Sequence, residues 1–121
     1  MEAGRDQQQR ELADALFDEL TTYFLDRAGV ERAPMFSSDG LKVNGKFFTF
    51  VASDGRLVVK VPEARAIALK TAGDATPVSP GRRTMREWIG VPVPDPPSVT
   101  GWLTMGEEAY SYVERLTRTS A

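Results

Sequence analysis

The chain has 121 residues, 41% of them hydrophobic, with 15 basic and 17 acidic side chains and a net charge of −2. That is enough for one packed core and too little for two, so residues 1–121 read as a single domain, frayed over 1–6 and 118–121. Cysteine and histidine are both absent, which removes disulfides, thiolate chemistry, imidazole acid–base catalysis, serine triads and the usual zinc sites.

The first predicted element is an amphipathic helix from about Asp6 to Ala28, with Leu12, Leu16, Leu20, Tyr23 and Phe24 at helical spacing and Ala13, Phe17 and Ala28 widening the stripe. Its N-terminal residues are polar and contain no signal-peptide core, and no apolar run approaches the roughly 18 residues that cross a bilayer. A cytoplasmic protein with no membrane contact is expected.

The stretch Met35 to Val61 reads as a short lead-in and three strands, joined by Asn44-Gly45 and Asp54-Gly55. Taking both dipeptides as two-residue loops pairs Val43 with Lys46, Leu41 with Phe48, Phe50 with Val59 and Ala52 with Leu57. Side-chain alternation then puts Leu41, Val43, Phe48, Phe50, Ala52, Leu57, Val59 and Val61 on one apolar face. The other face carries Lys42, Phe47, Thr49, Val51, Val58 and Lys60, an apolar strip with lysines beside it.

Pro62-Glu63 opens a second helix running to about Ala72, with Ile67 and Leu69 as its larger apolar residues and Gly73 as its stop. Short strands are expected over Thr76–Pro80 and Thr84–Val91, either side of a turn at Pro80-Gly81. The proline-rich segment Gly90 to Gly101 reads as an extended crossing. Thr104 with Glu107 forms a capping box for a last helix whose buried stripe is Ala109, Tyr110, Val113 and Leu116. The fold class is α+β: two layers, an antiparallel sheet of about five strands, in the order α-β-β-β-α-β-β-α.

Charge is unevenly spread. Residues 1–34 hold eight acids and four bases, residues 35–90 five acids and nine bases, and residues 91–121 four acids and two bases. The basic middle either complements the acidic flanks within the molecule or presents a binding face. Its sharpest feature is Arg82, Arg83 and Arg86 beside Trp88, where planar guanidinium groups and an indole are suited to phosphates and bases. Lys42 and Lys60, co-facial in this register, are expected to extend that patch. The competing expectation is that these arginines lie over apolar surface and pair with acids of the first helix. Phe47, Val51 and Val58, if uncovered, form an interface for a protein partner or a second copy of the chain.

Met35-Phe36, Gly40-Leu41, Asn44-Gly45-Lys46 with Phe48, Leu57 and Lys60, followed by Gly81-Arg82, Met85 and Trp88, resemble in order and spacing the signature of the TfoX N-terminal domain family. The similarity runs from about residue 10 to 118. It departs from the family at Ser37-Ser38, where many members have two glycines. The resemblance implies a fold related to YjbR-like and secretion-chaperone-like domains, bacterial relatives and a regulatory role. Two-domain competence regulators of this type carry a further domain that is not seen here, so their competence role is not carried over.

No P-loop, dinucleotide fingerprint or metalloprotease motif is present, and Asp39, Asp54 and Glu63 are explained by turns and a helix start. The expectation is a non-enzymatic regulatory or protein-interaction domain without cofactor or metal. Nucleic-acid or phosphate binding through Arg82, Arg83, Arg86, Lys42 and Lys60 is its rival.

Overall fold

A computed structural model describes residues 2–35, 38–79 and 83–118, with side chains from Gln7 onward. The elements are α1 (Glu2–Phe24), β1 (Val30–Met35), β2 (Ser38–Val43), β3 (Lys46–Val51), β4 (Leu57–Lys60), α2 (Glu63–Ala72), β5 (Thr76–Pro77), β6 (Trp88–Val91) and α3 (Thr100–Arg118). The strands form one antiparallel sheet in the order β1-β2-β3-β4-β6-β5. Buried side chains of all three helices share a single core with one sheet face, giving the expected two-layer α+β architecture.

The described sheet has six strands, not five. The added one is β1, whose residues before Met35 the sequence reading assigns to no element. It contains Pro34, which removes a ladder donor and is tolerated because the strand lies at an edge. The opposite edge, β5, carries Pro77 in the same way. Each edge therefore lacks a backbone N–H that an incoming strand would need.

Asn44-Gly45 is the two-residue turn expected, with both residues at positive φ and Val43 facing Lys46. The second hairpin differs. Its loop is Ser53-Asp54-Gly55: the Gly55 N–H donates to the Ala52 carbonyl and the Ala52 N–H donates to the Arg56 carbonyl, both at 2.9 Å. Gly55 has φ 87°, the left-handed residue that closes a three-residue hairpin loop. The register also slips between Leu41 and Lys42, where β3 contributes Phe48 as an extra, bulged residue.

These two one-residue shifts cancel in β4, so Leu57, Val59 and Val61 face the helices as expected and are fully buried. They do not cancel in β3 beyond the bulge. Thr49 now pairs with Val59, Phe50 with Val58 and Val51 with Leu57. Thr49 and Val51 turn toward the helices, and Phe50 turns away, the reverse of the predicted faces.

The helices correct smaller points. In α1 the buried stripe is Ala13, Leu16, Phe17, Leu20, Thr21 and Phe24, while Leu12 and Tyr23 are exposed at its margins. The helix stops at Phe24, short of Ala28. In α2 the buried pair is Ala66 and Leu69, with Ile67 54% exposed. Helix α3 begins at Thr100, before the expected capping box. Thr104 sits inside the helix and its hydroxyl donates to the Thr100 carbonyl, while the Thr100 N–H donates to the Ser98 hydroxyl. Trp102 thereby enters the core as its largest buried side chain, its indole N–H donating to the Pro92 carbonyl at 3.1 Å. Leu116 is exposed and lies outside that stripe.

Candidate functional site on the helix-free sheet face

Strand alternation assigns the uncovered face. Paired positions Ala33, Gly40, Phe50, Val58, Gly90 and Thr76 form one row across the sheet, and the pairs Lys42 with Phe47 and Lys60 with Trp88 lie beside it, two residues further along β2 and β4. The Phe47 ring lies against Gly40, where an added Cβ would come within 2.8 Å of it, and Lys42 Nζ stands 4.9 Å from the ring centroid. Phe50 and Trp88 pack with ring centroids 5.5 Å apart, and Lys60 Nζ is 5.7 Å from the Trp88 ring.

A groove of about 440 Å³ opens beside this aromatic pair, lined by Met35, Phe50, Arg56, Val78, Ser79, Met85 and Trp88. Val78, Ser79 and Met85 lie between β5 and β6 in the chain. The Met85 N–H donates to the Val78 carbonyl at 2.9 Å, and the hydroxyls of Ser79 and Thr84 are 3.1 Å apart. Its polar element is Arg56. The Arg56 Nε donates to Asp54 Oδ2 at 2.8 Å, and Nη1 donates to Thr76 Oγ1 at 2.8 Å and to the Pro77 carbonyl at 3.0 Å. The side chain lies across Gly90, where a Cβ would meet Nη1 at 2.6 Å.

A second pocket of about 340 Å³ shares Met85 and Trp88 and is lined otherwise by Lys60, Glu63, Arg86 and Glu87. Two cations there face two carboxylates: Lys60 Nζ is 3.9 Å from Glu87, and Arg86 Nε is 3.8 Å from Glu63. Glu87 also accepts a hydrogen bond from the Tyr112 hydroxyl, which raises the Tyr112 pKa, burial adding to the effect.

The predicted nucleic-acid contacts are thus distributed as follows. Lys42 and Lys60 do share the helix-free face, two strands apart. Arg86 is 84% exposed and its acid is in α2, not in the first helix as expected. Arg83 is exposed, with no ion pair among the described residues, and Arg82 lies outside them. Of the predicted interface, Phe47 is half-buried on the open face. Val51 is a correction: the Phe48 bulge puts it in the core, 2% exposed. Val58 does face away from the helices but is 1% exposed, so it offers no surface.

Phe50, Met35 and Arg56 are the site residues that sequence reasoning missed. Phe50 is misplaced by the bulge, whereas Arg56 keeps the face of Val58 and Lys60 but is given no role by the sequence reading. A signal for Arg56 does exist: Gly90 inside a strand marks a place where something approaches the backbone closely.

Elsewhere the charges are internal ties. Arg27 donates both terminal nitrogens to Glu107, and its guanidinium lies over the rings of Tyr23, Phe24 and Tyr110. That hydrogen bonding holds the Glu107 carboxyl below its ordinary value. Arg32 bridges Asp18 and Asp39, and Arg65 pairs with Glu108 through two bonds. Among the described residues no three acids cluster as cation ligands would, and no helix is long and apolar enough to cross a membrane. Compared with protein-family models, curated proteins and solved structures, the chain matches none.

Proposed function

We propose that this is a non-enzymatic protein-interaction domain whose contact surface is the helix-free face of the sheet. One observation carries the reading. Half-buried Phe47, Phe50 and Trp88 stand on that face beside Met35 and Met85, with no helix packed over them. Aromatic and methionine side chains on a rigid sheet are the residue types enriched where proteins meet. The prolines in both edge strands favour this face over strand addition at an edge.

The likeness to the TfoX N-terminal domain supports the same reading, since an α+β layer of this element order is what that resemblance implies, with a cytoplasmic regulatory role. Nucleic-acid binding is the second reading, favoured by Lys42 beside Phe47, Lys60 beside Trp88 and exposed Arg83. Against it, Lys60 and Arg86 already face acids.

Sedimentation velocity at micromolar and millimolar concentration tests the self-association form of this proposal. We expect concentration-dependent association that survives salt and is lost in Phe47→Asp but kept in Ile67→Asp on the helical side. A monomer at every concentration would sink that form. A parallel titration with duplex and single-stranded DNA at two salt concentrations addresses the rival. Salt-sensitive binding lost in an Arg82, Arg83 and Arg86 triple-alanine variant would overturn the protein-contact reading.

A further inference from the structure

We infer that the groove beside Trp88 is a binding site for a small carboxylate carried on an apolar chain or ring, with Arg56 as the anchor for its charge. This goes beyond the protein-contact reading and does not depend on it.

The walls are apolar: Met35, Phe50, Val78, Met85 and Trp88. A volume of about 440 Å³ lies in the range of sites that take small ligands. An apolar groove alone names no occupant, but this one contains a cation held in place before any ligand arrives. Arg56 is only 25% exposed, and its Nε and Nη1 are committed to Asp54, Thr76 and the Pro77 carbonyl. Those bonds fix the plane of the guanidinium over Gly90, where a side chain would displace it. Its Nη2 has no partner among the described residues.

A flexible surface arginine loses rotamer freedom when it captures an anion. Here that cost is already met in folding, so a hydrogen bond from Nη2 to a carboxylate adds affinity with little ordering. Bonds to charged partners are also the stronger class. The two methionines let one groove adapt to a chain or a ring.

The neighbouring pocket does not offer the same chemistry. There the paired carboxylates Glu63 and Glu87 are themselves lining residues that an entering anion would meet, whereas Asp54, which pairs with Arg56, does not line the groove.

The test is a titration of the whole protein with octanoate and, separately, octan-1-ol, each kept below micelle-forming concentration and read by the two indole N–H resonances. Trp88 lines the groove and Trp102 is the internal control, buried and bonded to Pro92. We expect octanoate to shift Trp88 and leave Trp102 still, and to bind about tenfold tighter than the alcohol, the worth of one charged hydrogen bond. Arg56→Met should remove that difference while the alcohol still binds. Because Arg56 also pins Thr76 and Pro77, a second variant, Met85→Asp, sets an acid on the opposite wall and should weaken octanoate far more than octan-1-ol. Equal affinity of acid and alcohol for the wild-type protein, or an unmoved Trp88 resonance, would overturn the proposal. So would octanoate binding that is unchanged in a folded Arg56→Met protein.

Discussion

Phe48 and its neighbours show how one residue sets the two faces of this sheet. As the extra residue of the bulge it drops fully into the core, against Phe24 and Tyr110 at ring-centroid distances of 5.5 and 5.7 Å. Phe47, one position earlier, stays half-buried on the other face over Gly40. Phe48→Ala should therefore cost about 3–5 kcal/mol, the range for truncating a buried aromatic, and Phe47→Ala clearly less. Urea unfolding of both variants measures this, and equal losses would show that both sheet faces are buried and would remove the contact surface.

At the scale of elements, the helices are fixed to one another by arginine–carboxylate pairs as well as by the core. Arg27 follows α1 and grips Glu107 of α3, and Arg65 of α2 grips Glu108 of the same helix. Of these two, Arg65–Glu108 joins the basic middle of the chain to an acidic flank, whereas Arg27–Glu107 ties the two flanks together. The Glu107 carboxyl titrates below its unfolded value of about 4.3. Its contribution is present above that value and is lost as the pH falls through the lower, folded one. Glu107→Gln should lower the urea midpoint at neutral pH, and the gap from wild type should close below about pH 4. The Tyr112–Glu87 bond has the opposite sign, because its folded pKa is raised. Tyr112→Phe should lose stability at neutral pH by a margin that disappears only on the alkaline side, as the tyrosine ionises near or above about pH 10.

For the whole molecule, the two-layer architecture makes adjacent residues unequal. Val51→Lys buries an unpaired charge among the helices and should cost about 4 kcal/mol or more, enough to unfold a marginal domain. Phe50→Lys places the same charge on the open face and should leave a cooperative thermal transition at a modestly lower temperature. Thermal melts followed by circular dichroism separate the two; a collapse of both variants would mean that the helix-free face is not open. The fold class was legible in the chain because helical and strand periodicities, turn dipeptides and helix stops are local signals. The helical spacing of Leu16, Leu20 and Phe24, the Asn44-Gly45 turn and the Glu63–Ala72 helix needed no tertiary information. Alternation also gives the observed parity of Leu57, Val59 and Val61, although through two shifts that cancel. Which face Thr49, Phe50 and Val51 take depends on long-range packing, because a bulge at Phe48 is selected by how its ring fits between Phe24 and Tyr110. The groove depended on it as well: Arg56, Gly90, Phe50, Met35 and Met85 come from five separate segments, and no local pattern records that packing brings them together.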